Sequence, residues 1–295
     1  MLVAVDVGAT KIHSAYFSSG KIVSQARFPT PHKSKAALLS AIKKAISALH
    51  ATPSSIGVCV PGFVHKGIVY GLPNIGIMRK FSLAAELSKE YKCKVSVQND
   101  SKCFILAEWK KGAAKGAQNA LGITFGSGIG GGAIINGKPY EGASNQAAEF
   151  GHMKIQIMGI KCPCGGFGCF ERYSSGSGIE GIFRHAGGKR LSAKEILGSK
   201  ERLAVSVSKN TAFIAGIGTA SLANIFNPQT IVLGGSVCGA YMGKYKRNFL
   251  KGFSSAALPL IKNTKIRKAR LQNASLWGAY LLAASASPNV FRSRS

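Results

Sequence analysis

Short apolar runs alternate with longer stretches of helical period from the first residues onward. Residues 2–5, 12–17 and 22–28 read as strands, with Gly20-Lys21 as the turn between the last two. The spacing predicts an amphipathic helix over 34–50, a strand over 56–60 and a helix over 83–91. A strand over 94–98 then leads into Asn99-Asp100, and a helix over 101–111 closes this half. Strands alternating with helices predict an α/β protein with a mixed sheet.

Near residue 119 the pattern starts again. Residues 120–125 read as a strand ending in Gly126-Ser127-Gly128, as the first strand ends in Asp6-Val7-Gly8. A strand over 130–135 follows, with Gly137-Lys138 in the place of Gly20-Lys21. A helix over 201–226, a strand over 230–233 and a helix over 240–251 continue the second half. Two α/β halves with matching glycine turns explain the repeat. The expected organisation is an N-terminal α/β domain over 1–112 and a C-terminal α/β domain over 113–274. The segment 275–295 is expected to be a helix packing back on the first domain, with a basic tail from Pro288.

No stretch reads as a membrane span. The longest nearly uncharged helical stretch, 211–226, is too short, and a buried core helix fits it better. Asp6 stands close to the start with no basic region before it, so no signal peptide is expected and the cytoplasm is the default. The chain carries 39 Lys and Arg against 11 Asp and Glu, a formal charge of +28. Such a field attracts anions, but the lysines are scattered and no nucleic-acid-binding motif accompanies them. Scarcity of acid sharpens the search for chemistry: the only aspartates are Asp6 and Asp100.

Four motifs look chemical. In Asp6-Val7-Gly8-Ala9-Thr10-Lys11, Gly8 lets the backbone approach a phosphate, Thr10 offers a hydroxyl and Lys11 a point charge. Asp6 can hold Mg²⁺ through its water shell, although a hairpin turn with an exposed Asp is the plainer reading. Gly126-Ser127-Gly128 is a second phosphate-loop candidate, and Gly234-Gly235, after a strand, could meet an adenosine. Asn99-Asp100 ends a strand and begins a helix. Asp100 there is either an N-cap or, at the ligand-binding end of a sheet, a general base for an attacking hydroxyl. The fourth motif is the most specific. Cys162, Cys164 and Cys169 lie within eight residues, ten residues after His152, and Cys₃His is a closed structural zinc set. An odd number of cysteines, seven, argues against a disulfide framework.

Together these motifs resemble the ROK family, the group named for its repressors, open reading frames and kinases. The likeness covers about residues 2–284. It is most specific at Glu149-Phe150-Gly151-His152 and at Cys162 through Glu171, with Pro61-Gly62, Leu72-Pro73-Asn74 and Asn99-Asp100 in the expected order. The resemblance implies the actin-like ATPase (ribonuclease H-like) fold, two α/β domains with a cleft between them. It implies ATP and Mg²⁺, a structural Zn²⁺ and a homodimer or higher oligomer. It also implies that Asp100 is the base for a hexose hydroxyl, usually the 6-hydroxyl. Gly62, Asn74, Asn99, Glu149, His152 and Glu171 would contact the sugar, His152 ligating zinc through its other nitrogen. Asp6, Gly8, Thr10, Lys11, Gly126, Ser127, Gly128, Gly234 and Gly235 would hold the nucleotide.

Departures from the family pattern include Ser127 for Thr, Ser101 for Ala, Asn227-Pro228 for Asp-Pro, and Ile77-Met78 where an aromatic residue is usual. None removes an expected catalytic group. The expectation is an ATP-dependent hexose kinase, glucokinase-like, acting on small molecules with no nucleic-acid or membrane partner. The alternatives are a kinase for another hexose or an N-acetylhexosamine, and a polyphosphate-dependent glucokinase, which the positive charge would suit. A non-catalytic sugar-responsive regulator is the reading from another class. A repressor of this family would carry a helix-turn-helix domain ahead of Asp6, and with Asp6 so near the start none is expected here.

Overall fold

The apolar run at the N-terminus forms β1 (Leu2–Val7), with Val3, Ala4, Val5 and Val7 fully buried. Burial on both faces is what a strand inside a covered sheet shows. The chain turns at Gly8 into β2 (Lys11–Ser18) and again into β3 (Lys21–Pro29). This second turn is Ser19-Gly20, with φ of 48° and 75°, one residue earlier than the sequence pattern placed it. Two successive left-handed residues match the twist of the flanking strands, and the pairing Ser18↔Lys21 leaves Lys21 inside the ladder.

In this computed structural model, which describes residues 1–286, α1 (Lys35–Ser47) follows, its first turn capped by the Ser34 side chain. β4 (Ser55–Val60) comes next, then a small sheet of β5 (Phe63–His65), β6 (Ile68–Gly71) and β7 (Phe81–Ser82). Strands of two to four residues are too short to show a period, and the sequence pattern missed them. Then come α2 (Leu83–Tyr91), β8 (Lys94–Asn99) and α3 (Asp100–Lys111). The main sheet has the order β3-β2-β1-β4-β8, with β1, β4 and β8 parallel.

The second sheet is built from β9 (Ala120–Phe125), β10 (Ile129–Ile135) and β11 (Lys138–Pro139). The β10–β11 turn is Asn136-Gly137, again with two positive φ values, 50° and 68°. Helices α4 (Glu171–Ser174), α5 (Gly176–His185), α6 (Ala193–Gly198) and α7 (Arg202–Phe226) precede β12 (Thr230–Gly234). The helix expected over 240–251 is two pieces, α8 (Cys238–Tyr241) and α9 (Lys246–Ala256). Side-chain bonds from the intervening Lys244 and Tyr245 to the carbonyl of Leu197, both 3.2 Å, hold the break. β13 (Lys265–Lys268) completes a sheet of order β11-β10-β9-β12-β13, the same construction as the first.

The final helix, α10 (Ala274–Ala286), lies on the first sheet. Tyr280 stacks on Phe17 with ring centroids 4.3 Å apart, and Trp277 meets the same ring edge-on at 5.1 Å. Gly57 in β4 is required here, because a methyl group on it would stand 1.8 Å from the carbonyl oxygen of Ala279. Two compact units result. One comprises Met1–Lys110, Glu141–Ala147 and the described residues from Leu271 on; the other comprises Lys111–Tyr140 and Ala148–Arg270. The basic tail read from Pro288 lies outside the described residues. Among the described residues no helix is long and apolar enough to cross a membrane.

One packed group makes the first unit sensitive to pH. His13 in β2 is buried, 2.9 Å from Gln25 Oε1. Burial pushes its pKa below the ordinary value, opposed by the Gln25 bond, while Arg27 adds to the lowering. The unfolded chain therefore binds this proton more readily than the folded one, so stability rises as pH rises toward about 6.5 and then levels. Denaturation midpoints taken from pH 5 to 7.5 are expected to climb in wild type and to flatten in His13→Gln.

Candidate active site

Parallel strands gather their carboxyl ends at one edge of a sheet, where open α/β proteins bind ligands. Pairing of Asp6 with Cys59 and of Cys59 with Gln98 sets one row across β1, β4 and β8. With strands about 4.8 Å apart, Asp6 lies roughly 10 Å from Gln98 along this row. Asp100 follows two residues later, so the first unit brings both aspartates of the chain to the same end of its sheet. Cys59 Sγ donates to Asp6 Oδ1 at 3.2 Å. Burial pushes the Asp6 carboxyl above the usual range, against the Cys59 bond and the charges of His13 and Lys11. The Cys59 thiol is itself pushed up, mainly by burial, and both aspartates add to the effect.

At the head of α3 Asn99 and Asp100 share the first free amides. Asn99 Oδ1 accepts from the amides of Ser101 and Lys102 at 2.9 and 3.3 Å, the N-cap pattern. Asp100 Oδ1 accepts from the Ser101 amide at 2.7 Å and from its hydroxyl at 3.3 Å. Asn99 Nδ2 donates to the carbonyl of Gly62 at 3.2 Å, joining two of the expected sugar residues. Asn74 sits in a short 3₁₀ turn, Pro73–Ile75, with its side chain exposed.

The first glycine turn is tight. The Gly8 amide donates to Lys11 O at 2.9 Å and its carbonyl accepts from Thr30 Oγ1 at 2.8 Å. The turn therefore uses Gly8's own amide, and the exposed Thr10 and Lys11 side chains are what it offers an anion.

In the second unit, Gly126-Ser127-Gly128 is braced by backbone bonds from Gly176 to Gly126 O at 2.7 Å and from Ser177 to Ser127 O at 3.1 Å. A methyl group on Gly128 would stand 2.8 Å from Glu171 Oε2, so the second loop and one expected sugar residue adjoin. Gly235 has φ of 88°, and a methyl group on it would lie 2.3 Å from Phe125 O. A cavity of about 510 Å³ opens beside this loop, lined among others by Ser127, Ser177, Glu180, Lys194 and Ser236. It receives the N-termini of α5 and α6, capped by Ser175 and Ser192. Helix N-termini attract phosphate. The sequence reading missed Ser177, Glu180 and Lys194; the Ser192-to-Glu195 capping box was the available signal.

The four expected metal ligands come together. One donor atom from each of His152, Cys162, Cys164 and Cys169 lies within 4.8 Å of the others. A tetrahedron with zinc–sulfur bonds of about 2.3 Å has edges of about 3.8 Å. Cys164 and Cys169 are 3.6 Å apart at sulfur, and Cys162 Sγ is 3.9 Å from His152 Nδ1. The donor set and its edges fit zinc, with Nδ1 of His152 turned to the sulfurs. Cys162 Sγ also donates to Glu171 Oε1 at 3.1 Å, and His152 Nδ1 lies 3.8 Å from the same oxygen. Glu149 opens the 3₁₀ turn Phe150–His152, so Glu149, His152 and Glu171 are all carried by, or beside, this cluster.

Two α/β units with the same five-strand order and a glycine turn after the first strand of each define the actin-like ATPase class. The chain belongs to the ROK family, whose model matches residues 2–286. It is 36% identical over 267 residues to a glucokinase of Halalkalibacterium halodurans, covering 81% of each chain. It is 31% identical to an N-acetyl-D-glucosamine kinase of Pectobacterium atrosepticum, covering 96% of this chain and 98% of that one. Among solved structures, a ROK family glucokinase from Streptomyces griseus in complex with glucose and AMPPNP superposes with a TM-score of 0.83. That match has 27% identity and covers 96% of this chain and 99% of the other.

Proposed function

We propose that this protein is an ATP-dependent hexose kinase that transfers the γ-phosphoryl group to a sugar hydroxyl, the 6-hydroxyl of glucose foremost. Sugar kinase is the class its family and relatives define. The observation that carries the reading is the position of Asp100, which follows the capping Asn99 at the head of α3 and stands with Asp6 at the ligand-binding end of the first sheet. In this reading Asp100 accepts the proton of the attacking hydroxyl, whose oxygen bonds to the γ-phosphorus as the bond to the β-phosphate oxygen breaks and ADP leaves. Gly62, Asn74, Asn99, Glu149, His152 and Glu171 orient the sugar.

Thr10, Lys11 and the turn at Gly8 meet phosphate oxygens, as do Gly126, Ser127 and Gly128, with Gly234 and Gly235 beside the nucleoside. The 510 Å³ cavity of the second unit has the size of a small-ligand site that a nucleoside could fill. Asp6, a carboxylate, suits Mg²⁺, which when bound neutralises charge on the phosphates. His152, Cys162, Cys164 and Cys169 would hold Zn²⁺, whose contribution is to fix the loop that carries His152 and leads to Glu171. Ile157 and Met158 on that loop are 90% and 93% exposed, and such apolar exposure supports a homo-oligomer.

The test is ATP consumption by zinc-replete protein offered glucose, N-acetylglucosamine, N-acetylmannosamine and mannose in turn. Turnover on glucose above the others is the expected result, whereas preference for an N-acetylated sugar would reassign the substrate. No turnover on any sugar, with ATP or polyphosphate, would overturn the enzyme reading.

A further inference from the structure

Among the described residues Lys102 is the only lysine that is buried, at 8% exposure. Burying an ammonium group is costly unless its hydrogen bonds are made, and an apolar residue would fill the same space at less cost. Here the ammonium donates to both oxygens of Asn145, the backbone carbonyl and Oδ1, the latter at 3.0 Å. Asn145 Nδ2 in turn donates to the carbonyl of Val64 and to Gln98 Oε1, both at 2.9 Å. Gln98 Oε1 accepts from the Asn99 amide at 2.8 Å, and Asn99 Oδ1 accepts from the Lys102 amide at 3.3 Å. The bonds close a ring: Lys102, Asn145, Gln98, Asn99 and back to Lys102. Asp100 lies inside the segment this ring spans.

Asn145 belongs to Glu141–Ala147, a strap that sits with the first unit although the chain on both sides of it belongs to the second. The strap bends through left-handed residues at Gly142 and Asn145, φ 69° and 56°, and Ala148 follows at 68°. Glycine and asparagine adopt that conformation readily, whereas Ala148 holds it only where its surroundings determine it. A second bond from Gln98 Nε2 to Glu141 Oε1, 3.3 Å, pins the start of the strap.

We propose that Lys102 and Asn145 are positioning residues that clamp the strap and, through Gln98, set the Asn99-Asp100 turn for hexose binding. This rests on the hexose-kinase reading. Lys102→Met is expected to raise KM for hexose about 10–100-fold, with kcat and KM for ATP within about threefold of wild type. Asn145→Gly, which keeps the left-handed backbone, is expected to do the same, and the double variant no more than the larger single effect. A lowered melting temperature with unchanged hexose KM, or additive effects in the double variant, would reduce the clamp to a structural detail and overturn the proposal. Amide exchange reads the clamp independently of turnover. In Lys102→Met, exchange at 99–102 and 142–147 is expected to quicken together by at least about tenfold. Unchanged exchange overturns the clamp, and faster exchange in a protein that phosphorylates no hexose sustains it while the kinase reading falls.

Discussion

Asp100→Asn is expected to lower kcat by about 10²–10⁴-fold, the usual contribution of a positioned general base, and to leave the hexose dissociation constant within about threefold. The asparagine oxygen can still accept from the Ser101 amide, and Asn99 still caps α3, so the head of the helix stays as it is. What disappears, in the proposed mechanism, is the proton acceptor. The loss corresponds to about 3–5.5 kcal/mol of transition-state stabilisation. Single-turnover measurements with ATP and the best hexose, beside calorimetric titration of the sugar, separate the two effects. Activity within tenfold of wild type would remove Asp100 from the role of base and leave the enzyme to activate the hydroxyl by orientation alone.

Loss of zinc is the second large effect. Cys162 and Cys169 are 2% and 0% exposed, so loss of the metal would leave two buried thiols packed beside the His152 ring with nothing to bind them together. Structural zinc contributes on the order of 10 kcal/mol in small domains, enough to decide whether such a loop is ordered. Chelation, or Cys169→Ser, is expected to raise hexose KM at least about tenfold, with KM for ATP changing far less, because His152 and Glu171 lose their common anchor. The melting temperature should fall in step. Elemental analysis finding no zinc in protein grown with it, or an unmoved KM after removal, would defeat this assignment.

What could be read in the chain beforehand divides by distance along it. The glycine turns, Asn99-Asp100 and the cysteine cluster are local, and each needs only neighbouring residues to acquire meaning. The paired sheets were legible because the order of strands and helices repeats. Features that depend on remote partners were not. The break between α8 and α9 is held by Leu197, the cavity beside Ser127 is assembled from α5, α6 and the turn after β12, and Lys102 finds Asn145 across 43 residues. A lysine two places after an aspartate reads as surface charge until the strap that covers it is known. The Ser19-Gly20 turn failed for a smaller reason: Lys21 looks like a turn residue, and only the ladder shows that it pairs.

The way α10 seats on Gly57 bears on the life of the nascent chain. Protein emerges from the ribosome N-terminus first and domains tend to fold as units as they appear. The first sheet is made early, yet the helix that covers it and the strap that Lys102 grips come from later segments, α10 last of all. The second unit, complete by Arg270, can close before the first one does. During synthesis the face of β4 that ends against Ala279 therefore waits uncovered for more than two hundred residues, which places the risk of aggregation at the beginning of the chain.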